Sequence, residues 1–138
     1  MIKFGTEFAV RINTNQLNET NMGVSRQIEK DLVSAIQRKR NWGGGNTVVT
    51  HDAGGMRCRV YLHGNLIAVI DHLTKTARLS SARWRTPTTK SRLNAIMDAL
   101  NISGGIKQKN GVWYRYRYDY NKEHLEPFKD NMVLSFRL

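Results

Sequence analysis

Two sets of residues in this chain could do chemistry: scattered histidine–carboxylate neighbours, and three short runs that place aromatic rings beside cations. His51-Asp52, His63 and Asp71-His72 fall on or next to neighbouring expected strands. Such pairs can bind a divalent metal or act as acid and base. Their spacing fits no ligand pattern, with neither an H-E-x-x-H nor a His-x-His. Asp52 and Asp71 stand where turns are expected, and turns use Asp to hydrogen-bond nearby backbone. The single cysteine, Cys58, shares a strand face with Val60 and Leu62 and is expected as a small buried hydrophobe, not a nucleophile. The 11 acidic residues are scattered, unlike the carboxylate cluster of a nuclease. No metal, cofactor or catalytic residue is expected, and the chain is not expected to be an enzyme.

The ring-and-cation runs carry more. They are Arg57/Arg59/Tyr61, Arg83/Trp84/Arg85 and Trp113/Arg115/Arg117, with Lys107 and Lys109 across a hairpin from the last. A basic track for phosphates and flat rings for bases are what single-strand binding needs. Lys+Arg number 22 against 11 for Asp+Glu, a net charge of +11, and such a field attracts nucleic acid or acidic surfaces. Arg57, Arg59, Lys107, Lys109, Arg115 and Arg117 are the expected phosphate contacts, with Arg83, Arg85 and Lys90 alongside. Tyr61, Trp84 and Trp113 are the expected stacking rings. In Val112–Tyr120 the alternation puts Val112, Tyr114, Tyr116, Tyr118 and Tyr120 on one face, opposite Trp113, Arg115 and Arg117. If the tyrosine face is the exposed one, the tyrosines replace Trp113.

The elements that must hold these residues are short. Phe4–Ile12 alternates like a half-buried strand, and Asn13–Asn21 is polar and expected as a loop. Val24, Ile28, Leu32, Ala35 and Ile36 make one helical stripe, with Arg38–Arg40 where cations favour the helix C-terminus. Asn41–Gly45 ends that helix as a flexible joint or a close backbone approach, with Trp42 as a core plug. Strands are expected at Asn46–His51, Met56–His63, Leu66–Asp71 and Thr76–Ala82, with turns at Asp52–Gly55, Gly64-Asn65 and Leu73–Lys75.

Thr86 is placed as N-cap and Pro87 as N1 of a second helix whose apolar face is Leu93, Ile96, Met97 and Leu100. Asn110-Gly111 marks a two-residue hairpin. Asn121–Pro127 breaks the periodicity, and Met132–Leu138 alternates as a last strand, in the core sheet or on the edge of a neighbouring copy. The expected fold is α+β: antiparallel meander sheets of about seven short strands with two helices, in one domain spanning 1–138. No apolar run is long enough for a membrane span, and the N-terminal residues lack the apolar region of a signal peptide, so a soluble intracellular protein is expected.

Two segments, Tyr61–Ala68 (YLHGNLIA) and Trp84–Ala95 (WRTPTTKSRLNA), resemble small orphan proteins of tailed bacteriophages that carry an LHGN-x-IA strand and a W-x-T-x-TTK-x-R-L/I-N helix start. The resemblance covers roughly a third of the chain. It implies a phage origin, a small α+β domain, and the cytoplasm of an infected bacterial host. It brings no catalytic residues with it.

Taken together, the expectation is a non-enzymatic single-strand binder, DNA more than RNA, acting in replication or transcription beside a phage or host polymerase. A regulator that meets an acidic protein surface is one alternative. The other is a duplex-DNA regulator, with Thr88, Thr89, Lys90 and Arg92 near the start of a recognition helix.

Overall fold

The computed structural model describes residues 19–137, with side chains from Arg26 onward. The expected strand Phe4–Ile12 therefore lies outside the described residues, as does Leu138. Helix α1 (Glu19–Gln37) turns Leu32, Ala35 and Ile36 fully inward. It begins within the stretch expected as a loop, so Glu19–Asn21 are helical. The Arg38–Arg40 cluster lies past the last turn, not in it. Lys39 takes a left-handed φ of 55° and the Arg40 N–H returns to the Ala35 carbonyl at 3.0 Å, which satisfies the helix end through backbone geometry.

Of the two readings of Asn41–Gly45, the flexible joint gives way to a strand and a tight turn, while the close backbone approach is found at Gly44. Strand β1 (Trp42–Gly44) pairs antiparallel with β2 (Thr47–His51), and the Trp42 ring lies so close over Gly44 that a Cβ there would stand 2.5 Å from it. Trp42 packs against the core, as a plug should. The chain then meanders through β3 (Arg57–Leu62), β4 (Asn65–Asp71) and β5 (Thr76–Leu79). His63 (φ 51°) and Gly64 (φ 78°) are the central pair of the β3–β4 turn, one residue earlier than expected. Tyr61 pairs with Leu66 but Val60 with Ala68, so Ile67 is an extra residue in β4. That bulge lets consecutive Ile67 and Ala68 both face the core.

Helix α2 (Pro87–Ala99) starts as expected, with the Thr89 N–H donating to Thr86 Oγ1 at 3.1 Å. It is buried on more than its apolar stripe, because α1 and β6 (Gly105–Lys109) pack against it and Arg92 reaches Thr47 of β2. Strands β7 (Val112–Asp119) and β8 (Lys122–Pro127) complete a second sheet, and β9 (Met132–Ser135) returns to pair with β5. The result is an α+β fold: a six-stranded antiparallel sheet ordered β1-β2-β3-β4-β5-β9 and a three-stranded sheet ordered β6-β7-β8. The strands not expected are β1 and β8. Strand β8 has no apolar alternation because it is an outer strand with little buried surface.

The core lies between the helices and one face of the larger sheet, through Cys58, Val60, Leu62, Ile70, Ala77 and Leu79. Arg92 crosses this layer at 3% exposure. It meets Glu29 at 2.9 Å, Thr47 Oγ1 at 3.0 Å and Asn46 Oδ1 at 3.3 Å. Asn94 fastens the second sheet: its amide donates to the Ile106 carbonyl at 2.9 Å and its oxygen accepts the Ile106 N–H at 2.7 Å. Of the four residues expected near the start of a recognition helix, Thr89 and Arg92 are buried, while Thr88 is exposed and Lys90 half-buried.

Candidate functional site

Of the histidine–carboxylate neighbours, the pairs His51-Asp52 and Asp71-His72 are engaged within the fold. Asp71 accepts the backbone N–H groups of Leu73 and Thr74 in a turn, which with Arg57 holds its carboxyl below the usual carboxylate range. Asp52 pairs with Arg59 at 2.7 Å. His51 and His72 stack with centroids 5.9 Å apart, and the edge of Phe136 meets His72. Burial is the first cause that lowers both imidazole pKa values, and Lys39 adds to it. Burial pushes the Cys58 thiol up to about 12, so it carries no thiolate near neutral pH. Among the described residues no cluster of three or more His, Cys, Asp or Glu could hold a metal ion.

The three ring-and-cation runs do not form one surface. Arg57, Arg59 and Tyr61 lie on the face of the larger sheet that turns away from the core. Registers place Val48, Tyr61 and Leu66 in one row there, and Thr50, Arg59, Val69, Arg78 and Val133 in another. Arg57 is 3.4 Å from Asp71, so both arginines of the run already have carboxylate partners.

In the second sheet the face is the reverse of the one first assigned. Trp113 is 2% exposed and tilts against Phe128 at 5.9 Å, so it cannot stack on a base. Arg115 is 6% exposed, with Nη1 donating to the Tyr116 carbonyl and Nε unpartnered, and is unavailable to phosphate. Arg85 lies 5.3 Å from the Trp113 and Phe128 ring centroids and donates to the Phe128 carbonyl at 3.2 Å, so it closes the core over Trp113. Arg117 stays exposed, opposite His124 in the register.

The other face of that sheet carries Val112, Tyr114, Tyr116 and Tyr118, with Tyr118 57% exposed and Tyr114 and Tyr116 half-buried. Cross-strand neighbours add Lys107 beside Tyr114, Lys109 beside Val112, Leu125 beside Tyr116 and Glu123 beside Tyr118. Lys107 Nζ sits 5.1 Å from the Tyr116 ring centroid and pairs with Glu123 at 2.5 Å. Among the described residues Lys109 has no hydrogen-bond or ion-pair partner.

The third run shapes a cleft. Ser81–Trp84 is a turn closed by the Trp84 N–H on the Ser81 carbonyl at 2.8 Å, with Ala82 at φ 53° and Arg83 at φ 68°. Left-handed backbone at two consecutive non-glycine residues costs about 1–3 kcal/mol each. Asp130 holds the turn through Ser81, and Ser80 Oγ accepts the Ala82 N–H at 3.0 Å. The turn sets Trp84, 62% exposed, at the mouth of a cleft of about 490 Å³. Its walls are the β3–β4 turn (Leu62, His63, Asn65, Ile67) and the start of α2 (Thr86, Thr88, Thr89). Thus Tyr61–Ala68 and Trp84–Ala95, far apart in the chain, meet at one concavity. The side chains of His63, Asn65 and Thr88 make no hydrogen bond among the described residues. Sequence patterning raised His63 and Thr88 only for other chemistry, and passed over Asn65, which it placed in a turn. Lys90, half-buried in the first turns of α2, is not part of the cleft.

The fold and its surfaces define a small, basic two-sheet α+β protein. Residues 25–135 match the family model described as Kyanoviridae Gp96 protein, and the chain belongs to this phage family. Neither the curated proteins nor the solved structures contain a match. Among the described residues no helix is long and apolar enough to cross a membrane.

Proposed function

We propose that this phage protein binds single-stranded nucleic acid, DNA in preference to RNA, without catalysing a reaction on it. It would do so in the cytoplasm of the infected bacterium, in replication or transcription beside a phage or host polymerase. The tyrosine face of β6–β8 carries the reading: Tyr114, Tyr116 and Tyr118 stand in line on a sheet surface beside Lys107 and Lys109. Bases of a single strand have free faces to stack on such rings, whereas paired bases do not. The net charge of +11 supplies attraction over distance.

Fluorescence anisotropy of a labelled single strand, with duplex and heparin as competitors across a salt series, tests this. Single strands should win over duplex, Tyr118→Ala and Lys109→Ala should each weaken binding, and the log–log salt slope should be about −0.7 per phosphate contacted. Equal binding to all three polyanions, or none at moderate salt, overturns the proposal.

A second reading, a protein-binding regulator, is favoured by the outward face of the larger sheet. Val48, Leu66 and Val133 are exposed there, while Arg57 and Arg59 are already ion-paired. Specific capture of a polymerase that survives nuclease treatment would support it.

A further inference from the structure

We propose that the cleft beside Trp84 receives one nucleobase. The inference rests on the nucleic-acid reading only in choosing a base over another flat ring. Its volume of about 490 Å³ is that of a small-molecule site, and its lining is mainly apolar with a few polar groups. Trp84 offers an exposed indole on which a flat ring can stack. Asn65 offers an unengaged amide, donor and acceptor side by side, which is the pattern that pairs with the edge of a base. His63 and the Thr88 hydroxyl supply further free polar atoms on the same walls. No carboxylate lines the cleft, and Arg83, the exposed chain neighbour of Trp84, adds positive charge to that turn. The turn that carries the ring is also fixed in place, since Asp130 clamps it through Ser81.

The base could belong to a free nucleotide or to a strand, and one titration separates them. The full chain, labelled for NMR, is titrated with each of the four 2′-deoxynucleoside 5′-monophosphates while the Asn65 side-chain amide and the Trp84 indole N–H are followed. At least one monophosphate should shift both resonances saturably. Asn65→Ala and Trp84→Ala should each weaken that binding at least tenfold, and Tyr118→Ala should leave it unchanged. Deoxyribose 5-phosphate shifting both resonances equally well would mean a phosphate site and overturn the proposal. Phenol or indole binding as tightly as the monophosphates would mean a pocket for a protein side chain, and would overturn it too.

A six-nucleotide single strand that moves the two resonances at lower concentration than the monophosphate assigns the base to a strand. A strand that leaves them in place while the monophosphate moves them assigns it to a free nucleotide. A strand that binds through Tyr118, with no probe reaching Asn65 and Trp84, overturns the cleft and leaves the tyrosine face standing. A monophosphate in the cleft with strand binding indifferent to Tyr118→Ala does the opposite.

Discussion

Asp130 reaches back 49 residues to Ser81, where Oδ1 accepts the backbone N–H at 2.8 Å and the side-chain hydroxyl at 2.9 Å. Two elements are joined by this one carboxylate: the end of β5 and the chain entering β9. Next to it the Asn131 N–H donates to the Leu79 carbonyl at 2.7 Å. Hydrogen bonds to a charged group are worth about 1.5–3 kcal/mol each, so Asp130→Ala should lower stability by about 2–3 kcal/mol in urea unfolding. Ala82→Gly should not lower it, because relief of the left-handed strain at φ 53° offsets the added freedom of the unfolded chain. An ordinary Ala→Gly loss there would mean the turn is unstrained.

Trp113 and Tyr118 lie on one strand and should fail in different ways. Trp113→Ala removes a fully buried ring and should cost about 3–5 kcal/mol, with any loss of binding following the loss of fold. Tyr118→Ala should stay within about 0.5 kcal/mol of the parent while weakening single-strand binding. Circular dichroism and anisotropy on the same samples would separate the two.

Glu29 and Arg92 tie α1 to α2 through a partly buried ion pair. Burial raises the Glu29 pKa despite the Ser91 hydroxyl and the Arg92 guanidinium, which act to lower it. Glu29→Ala removes the carboxylate paired with a guanidinium that is 3% exposed and should cost about 3 kcal/mol. Glu29→Gln, which keeps an acceptor for both partners, should cost clearly less. Equal losses would show that the charge matters more than the acceptor.

The stacked His51 and His72 make stability depend on pH. Both pKa values are lowered in the fold, so the unfolded chain takes up protons first as pH falls. Their contribution is complete above the ordinary histidine value of about 6.5 and is lost as pH falls through it toward the folded values. Lys39 and Lys75 add repulsion to the protonated His72, with Asp71 opposing. Asp71 and Glu123, whose pKa values are lowered, contribute above the usual carboxylate range and lose their part only at more acidic pH. The urea midpoint should therefore drop between pH 7.5 and 5.5. His72→Phe should flatten that drop, and an unchanged drop would place the titration elsewhere.

Gly104 is where the second sheet folds close against its own strand. Its φ is 79°, and a Cβ there would lie 1.9 Å from the Tyr116 carbonyl oxygen. Gly104→Ala should cost about 3 kcal/mol or more, since strain and clash add. Thermal unfolding would show it; a shift under a few degrees would mean that β6 relaxes away from β7.

Local chemistry was legible wherever a few neighbouring residues suffice. Asn110-Gly111 forms its turn with φ of 52° and 79°, and Thr86 and Pro87 open α2, because the turn and the cap are set by φ preferences and one side-chain oxygen. Alternation likewise put Cys58, Val60 and Leu62 together, since strand period alone does that. Alternation divides a strand into two faces without saying which one is covered. In β7 that was decided by Phe128 and Arg85, which close over Trp113 from elsewhere in the chain and leave the tyrosines outside. Arg92, named from the sequence as a duplex contact, is core because Glu29, Asn46 and Thr47 meet it there. The cleft at Trp84 is wholly tertiary. Its walls come from a strand turn and a helix start that only sheet pairing and the Asp130 clamp bring together. The sequence by itself thus determined the elements and their two-faced character, because those depend on local dihedral preferences and period. Which face is buried, and which distant side chains share a surface, depended on packing between elements, where burial energy is shared among residues remote in the chain.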